Sequence, residues 1–176
     1  MILEEIISLK RIRLEIEKEI VPLEKLKSQI KNMDIRDFKK AIENIGKLNI
    51  IGEVKKASPS KGIIREDFDP IFVSRIYDKN QIDAISVLTE ESFFLGKGEY
   101  LSMIKQEIKV PILRKDFIID SYQIYQSRLL GADAILLIAS LLTKKQLDEF
   151  QKIARDINLQ CLVEIHNLKE LEKVLD

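Results

Sequence analysis

The sequence predicts an α/β fold in which parallel strands alternate with helices. After Gly46, short and nearly continuous apolar runs alternate with stretches of helical periodicity, a pattern typical of strands that are covered on both faces. The connections between predicted helices and strands are short, as in repeated strand-helix units. Because such crossovers are right-handed, the sheet either opens into a doubly wound fold or curls toward a barrel.

Residues 1–48 predict a helical extension. Apolar residues recur at helical spacing among many charges over the first thirty or so positions, with a break before Pro22. A second helix is expected over 23–32, and Asp34 or Asp37 is a candidate N-cap for a third. We interpret this charged region as a solvated face packed on the rest of the chain, and the alternative is a helix that binds a partner.

Residues 49–176 predict the strand-helix part. Strands are predicted at 49–54, 84–88, 110–113, 134–138 and 161–165. Helices are predicted at 70–79, 100–107, 122–130, 144–157 and from 168 to the end. Asp69 and Thr143 are predicted N-caps, and Gly131 is predicted to end the helix before it.

Composition narrows the class of protein. The 176 residues carry 29 basic and 29 acidic side chains, so no overall field favours nucleic acid or an anionic membrane. Cys161 is the single cysteine and lies in an apolar run, which fits a buried thiol in a reducing compartment. No apolar run reaches the about 18 residues of a membrane span, so we expect a cytoplasmic protein.

The predicted strands end in polar groups. The run from Val110 ends abruptly in two cations, and Lys115 is expected at the carboxyl end of its strand, where ligands bind in strand-helix folds. The polar groups at the other strand ends are Glu53 with Lys55, Ser86 with Thr89 to Glu91, and Glu164 with His166. In a parallel sheet these groups meet on one rim.

Acids and lysines on one rim suit acid-base chemistry on a small anionic substrate. A lysine can give a proton to a carbonyl oxygen while a carboxylate accepts one. The alternative is two buried structural ion pairs, Glu53 with Lys55 and Lys115 with Glu164, since structural networks also contain such residues. Both interpretations are open from composition and spacing.

Two loops next to these strand ends are candidate binding elements. The loop 56–62 offers hydroxyls, lysines and a glycine that could hold phosphate, although a turn with a proline between serines is often just a turn. Phe93 and Phe94 could stack on a ring or close the core. His166 is interpreted as a loop residue, and one histidine with one cysteine gives no zinc site.

Five motifs at the predicted strand ends resemble the indole-3-glycerol-phosphate synthase family. They are IGEVKKASPSKG at 51–62, ISVLT at 85–89 with FFLG at 93–96, LRKDFIID at 113–120, GADAILLI at 131–138 and LVEIH at 162–166. The resemblance runs from about Ile2 to Asp176 and includes Arg36-Asp-Phe38 in the extension. It implies a (β/α)8 TIM barrel, here truncated after the fifth strand, with an N-terminal helical extension.

The resemblance also implies an activity. The family closes the indole ring in tryptophan biosynthesis, converting 1-(2-carboxyphenylamino)-1-deoxyribulose 5-phosphate into indole-3-glycerol phosphate, carbon dioxide and water. No metal and no organic cofactor are implied. The expected partner is therefore a phosphorylated small molecule, with neither nucleic acid nor a membrane.

The family's functional residues fall on matching positions of this chain. Lys115 matches the general acid that protonates the substrate carbonyl, and Glu164 matches a partner acid or base in the dehydration, with Glu53 assisting. The remaining matches are Lys55 near the phosphate and carboxylate of the substrate and in proton transfer, Ser58 at the same end, and Phe94, Phe117 and Leu136 around the anthranilate ring.

The family pattern of strands six to eight does not follow. The loops after strands seven and eight form the main phosphate site of such barrels, so weak or no catalysis is expected. Unpaired first and fifth strands predict either self-association or a fragment of a longer enzyme. An inactive fragment or assembly module, or another phosphate-handling barrel enzyme, is the alternative to the synthase.

Overall fold

The computed structural model describes residues 2–30 and 33–175. The chain begins with three helices, α1 (Ile2–Ile20), α2 (Leu23–Gln29) and α3 (Phe38–Ile42). The strands are β1 (Ile51–Val54), β2 (Ala57–Ser58), β3 (Gly62–Ile63), β4 (Ala84–Leu88), β5 (Ile112–Lys115), β6 (Ala134–Ile138) and β7 (Gln160–Glu164). The later helices are α4 (Pro70–Lys79), α5 (Glu99–Glu107), α6 (Ser121–Leu129), α7 (Lys144–Asp156) and α8 (Leu168–Leu175), with a 3₁₀ turn at Ala139–Leu141.

The main sheet is parallel and has five strands in the order β1-β4-β5-β6-β7. The strands follow one another in sequence order, without the reversal that a doubly wound sheet requires. This order is that of consecutive strand-helix units in a TIM barrel, so the predicted α/β class is confirmed and the sheet corresponds to part of such a barrel.

The two faces of the sheet have different cores. The outer face packs on the helices and buries Ile85, Val87, Ile112, Ile135 and Leu137 completely. On the inner face, at the amino ends of the strands, Ala84, Leu113 and Ala134 pack against Phe38 of α3. Helix α3 of the extension therefore covers the inner core at the amino ends of the strands and leaves their carboxyl ends open.

The predicted strands are found, but the bounds of three of them differ. The structure agrees at 84–88 and 134–138, whereas β1 begins at Ile51 and β7 is displaced by one residue. The third strand runs from Ile112 to Lys115 instead of 110–113, so Arg114 and Lys115 lie within it. A charged residue is tolerated there because Arg114 donates to Gln126 and Ser127 of α6 on the outer face.

The predicted loop 56–62 contains a short antiparallel hairpin made by β2 and β3. Gly62 has a φ of +63°, which favours glycine over other residues. The main-chain N–H of Ala57 donates to Phe94 O at 3.2 Å. The loop is therefore tied to the loop that follows β4.

The predicted caps are confirmed. Asp37, rather than Asp34, caps α3 and accepts from Lys40 N. Asp69 accepts from the first turn of α4, and Thr143 forms a capping box with Gln146 at α7. Gly131 follows α6 with a φ of +91°.

The predicted helices are also found. Helix α4 agrees at 70–79, while α5 and α6 each begin one residue earlier than expected and α6 and α7 each end one residue earlier. Helix α8 is described over Leu168–Leu175, and Asp176 lies outside the described residues. The break before Pro22 is confirmed. Of the predicted second helix, Lys31 and Asn32 lie outside the described residues, and α2 ends at Gln29.

Asp133 joins the extension to the sheet. Its side chain is completely buried, and its oxygens accept from Arg36 N at 2.7 Å and Ile112 N at 2.9 Å. Lys105 of α5 donates to the same carboxylate. Burial lowers the pKa of Lys105, although the hydrogen bond to Asp133 acts in the opposite direction.

We expect Asp133→Ala to lower the free energy of unfolding by about 3 kcal/mol, because it leaves two N–H groups and a buried ammonium without an acceptor. Urea denaturation followed by circular dichroism measures the change. The matched control is Asp148→Ala, which removes an exposed carboxylate 3.5 Å from Lys144 and should cost about 0.5 kcal/mol or less. Equal losses for the two variants would contradict the role of Asp133.

Candidate active site

A cavity of about 200 Å³ lies at the carboxyl end of the sheet. Its lining residues are Glu53, Lys55, Leu88, Phe94, Lys115, Asp116, Phe117, Leu136, Ile138 and Glu164. The four residues predicted to be catalytic are all in this lining, together with the three apolar residues predicted to surround a ring. Ser58 is outside it, in the β2–β3 hairpin, where its hydroxyl accepts from Lys61 N at 3.2 Å.

The strands bring these residues together because their carboxyl ends share one edge. Lys115 is the last residue of β5 and lies beside Leu88 of β4, and Glu164 is the last residue of β7 and lies beside Ile138 of β6. Side chains alternate between the faces of a strand. Lys115 therefore points into the cavity while its neighbour Arg114 points outward to α6.

Glu53 binds both lysines of the cavity. Lys115 Nζ donates to Glu53 Oε2 at 3.0 Å, and Lys55 Nζ donates to the other oxygen. Burial raises the pKa of Glu53, but the hydrogen bonds from Lys55 and Lys115 outweigh it and hold the pKa below its usual value. The carboxyl group is therefore ionised and holds the two ammonium groups side by side.

Of the two ion pairs in the structural alternative, Glu53 with Lys55 is found and Lys115 with Glu164 is not. Lys115 pairs with Glu53, and Glu164 Oε1 lies 3.2 Å from His166 Nε2 instead. The side chains of Glu53, Lys55 and Lys115 are 30%, 29% and 38% exposed. These groups are accessible from the cavity, so a ligand can replace their present contacts.

One wall of the cavity is aromatic. The rings of Phe94 and Phe117 lie 6.3 Å apart between centroids and are tilted by 47°, and Leu136 is buried beside the same space. The loop that carries Phe94 is shaped by Glu90, whose buried carboxylate accepts from the main-chain N–H groups of residues 92–94 at 2.8 to 3.0 Å. Glu90 was a polar candidate in the sequence, and it supports the loop.

Asp116 is the charged residue of the cavity lining that was not among the predicted site residues. Its carboxylate is completely buried and accepts from Thr89 Oγ1 at 2.7 Å, Arg114 Nη2 at 2.9 Å and Phe117 N at 2.8 Å. Lys10 of α1 supplies a second cation at 2.8 Å. Burial raises the pKa of Asp116, but Arg114 and Lys10 outweigh it and lower the pKa to about 2.

A larger cavity of about 540 Å³ lies between α1, the loop after β4, and α6. Its lining mixes cations with Glu17, Glu91 and Glu99. Two of its cations, Lys10 and Arg114, are already bound to Asp116. We place the candidate active site in the smaller cavity, where two lysines and two accessible carboxylates adjoin an apolar wall.

Acids and lysines beside an apolar wall, at the carboxyl ends of parallel strands, define an α/β enzyme of acid-base chemistry. The family model described as indole-3-glycerol phosphate synthase matches residues 3–176. The chain belongs to this family.

Several relatives carry the name indole-3-glycerol phosphate synthase. The protein from Alkaliphilus metalliredigens is 54% identical over all of this chain and 68% of its own length. Those from Acetivibrio thermocellus and Thermoanaerobacter pseudethanolicus are 52% and 49% identical, again over all of this chain and over 69% and 67% of their lengths. The chain thus spans about two thirds of the length of these relatives.

Within residues 2–30 and 33–175, no helix combines the length and the hydrophobicity that a membrane span requires. In the same part of the chain, no three or more histidine, cysteine, aspartate or glutamate side chains are arranged to hold a metal ion.

We expect Asp116→Asn to alter the pH dependence of stability. The pKa of Asp116 is about 2, below its ordinary value of 3.8. Its ionised form therefore stabilises the folded protein at pH values above 3.8. This contribution is lost as the pH falls through about 2. The contribution is about 2 kcal/mol at neutral pH, and about half of it should be gone by about pH 3.

Urea denaturation of the wild type and Asp116→Asn, at neutral pH and at about pH 3, measures this effect. The difference in unfolding free energy between the two proteins should be smaller at the lower pH. Asp148→Asn, an exposed carboxyl to amide change, is the control and should give nearly the same difference at both pH values. A difference for Asp116→Asn that does not change with pH would contradict the assignment.

Proposed function

We propose that the chain converts 1-(2-carboxyphenylamino)-1-deoxyribulose 5-phosphate into indole-3-glycerol phosphate, carbon dioxide and water. The observation that carries this proposal is the pairing of Lys115 with Glu53 in an accessible cavity beside Phe94 and Phe117. Membership of the synthase family supports it. The proposed partner is a phosphorylated small molecule, and the proposed location is the cytoplasm.

The first step closes the ring. The ring carbon that bears the carboxylate attacks the carbonyl carbon of the sugar chain, and the carbonyl oxygen takes a proton from Lys115 and becomes a hydroxyl group. Loss of carbon dioxide from the same ring carbon restores aromaticity. A positioned acid is required because negative charge develops on the carbonyl oxygen, and Glu53, 3.0 Å from the amine, orients the donor.

The second step removes water. The new hydroxyl group leaves with a proton from an ammonium group of the cavity, and Glu164 takes a proton from the methylene carbon next to the nitrogen. Cleavage of this C–O bond and of the C–H bond of the methylene group forms the carbon–carbon double bond of the pyrrole ring. Glu164 is suited to act as the general base because its side chain is accessible at the end of β7.

The remaining residues are proposed to bind the substrate. Phe94, Phe117 and Leu136 enclose the anthranilate ring, for which their apolar surfaces provide the contact. Lys55 is proposed to bind the phosphate and carboxylate end, and to share in proton transfer, because its ammonium group faces the same cavity. Ser58 is proposed to contact that end from the adjoining hairpin.

We expect Lys115→Ala to lower the rate of product formation by about a hundredfold to ten-thousandfold, the usual contribution of a general acid. The assay is a single turnover with enzyme in excess over substrate, followed by the fluorescence of the indole product. Lys152→Ala, on the exposed face of α7, is the matched control and should react at the wild-type rate.

Binding of the substrate analogue with its carbonyl reduced to an alcohol gives an independent measurement. Lys115→Ala should retain most of the affinity for this analogue, because it has no carbonyl oxygen to protonate. A wild-type chain that folds but neither forms product nor binds the analogue would overturn the proposed activity and favour a non-catalytic module.

We also propose that the chain self-associates through the edges of its sheet. In the described residues β1 pairs with β4 alone and β7 with β6 alone, so each outer strand presents unpaired main-chain groups. Ile51, on the edge strand β1, is partly exposed. Open strand edges with apolar residues add further strands.

Size-exclusion chromatography with light scattering should show a mass above that of the monomer, increasing with concentration. We expect Ile51→Lys to shift the mass toward the monomer, because a charged residue on an edge strand opposes strand addition. Ile45→Lys makes the same change at an exposed position outside the sheet and should have no effect. A wild-type monomer at every concentration would be evidence against self-association.

A further inference from the structure

Helix α1 holds both ends of the loop that follows Lys115. Lys10 Nζ lies 2.8 Å from Asp116 Oδ1 at the first residue of this loop, and Lys18 Nζ lies 2.8 Å from Asp120 Oδ2 at its end. Tyr122, just inside α6, donates through its hydroxyl group to main-chain carbonyls of α1 and of the turn after it. The loop between these anchors carries Phe117, which lines the candidate active site.

Lys10 occupies a position where an apolar residue would be expected. The buried residues of α1 are Ile6, Lys10 and Leu14, which follow one another at four-residue spacing along one face. The side chain of Lys10 is only 5% exposed. Burying an ammonium group is costly unless a carboxylate pairs with it, so the burial of Lys10 depends on its pairing with Asp116.

The partner is an acid of the candidate site. Asp116 lines the cavity between Lys115 and Phe117 in the chain. The second contact of Lys10, to Glu91 Oε2, is longer at 3.4 Å, and Glu91 also pairs with Arg13. The short and completely buried contact is therefore the one with Asp116.

We propose that Lys10, in the N-terminal helix, is a positioning residue for the reaction, which acts through Asp116 to hold the end of β5 so that Lys115 and Phe117 face the cavity. This inference rests on the proposed function. Lys10 does not line the cavity, so its effect on the reaction is indirect. The helical extension thereby contributes to the active site as well as to the core at the amino ends of the strands.

The test compares two cations of the same helix. Lys10→Met keeps the length of the side chain and removes the charge that binds Asp116. Arg13→Met makes the equivalent change three residues later, where the cation contacts Glu91 and Glu17 but is half exposed. Among the described residues, the ion pairs of Arg13 are with Glu17 and Glu91 and not with Asp116, so it is a matched control.

The first measurement is steady-state turnover. We expect Lys10→Met to lower kcat by about tenfold to a hundredfold with little change in KM, since a misplacement of about 1 Å in a catalytic group has effects of this size. Arg13→Met should leave both constants unchanged. Equal kcat values for the two variants would overturn the proposal.

The second measurement does not require turnover. The amines are labelled with trinitrobenzenesulfonate, and the labelling rates of Lys115, Lys105 and Lys152 are measured by mass spectrometry. In Lys10→Met the rate at Lys115 should rise, because its amine is no longer held against Glu53, while the rates at buried Lys105 and exposed Lys152 stay at their wild-type values. A parallel rise at Lys105 would indicate general loosening of the fold and would overturn the positioning role.

The two measurements separate this inference from the proposed function. A wild type without turnover would count against the proposed activity, and the labelling rates would still decide whether Lys10 positions Lys115. If Lys10→Met does not fold, Lys10→Gln is used, because its polar amide removes the charge and is one atom too short to keep the 2.8 Å contact with Asp116. Unchanged kcat and unchanged labelling of Lys115 in a folded Gln variant would refute the inference.

Discussion

The candidate active site depends on the buried carboxylate of Asp116. Its oxygens are removed from solvent and accept from Lys10, Thr89, Arg114 and the main chain of Phe117. A buried anion is tolerated only when its partners are correctly placed. Because the partners of Asp116 must all be correctly placed, this carboxylate fixes the relative positions of α1, the end of β4, and β5 with the loop that follows it.

Burial assigns different tasks to acids that look alike in the sequence. Asp116 and Glu90 are enclosed and hold loops in place, and their oxygens are occupied by donors of the protein itself. Glu53 and Glu164 are partly exposed in the cavity, where their contacts are with side chains that a ligand can also bind. Acid-base chemistry needs this accessible kind, because an enclosed carboxylate cannot reach a substrate.

The sequence predicted what depends on local pattern. Apolar runs identified the main strands, side-chain oxygens at the helix starts identified Asp37, Asp69 and Thr143, and the abrupt end of one run identified Lys115. The roles of Asp116 and Lys10 were not predicted, because their contact joins residues far apart in the chain and periodicity carries no information about such pairs. The partner of Lys115 was uncertain for the same reason, since Glu53 and Glu164 flank it from different strands.

The length of β5 explains how two adjacent cations come to act in separate places. The strand predicted at 110–113 ends before Arg114 and Lys115, so the alternation of strand side chains would not assign these two cations to different faces. Because the strand continues through both residues, the alternation of its side chains sends Arg114 to α6 and Asp116, and Lys115 to Glu53. The two added residues thus separate the cation that stabilises the end of the strand from the one that faces the cavity, and a strand ending at Leu113 would not impose this separation.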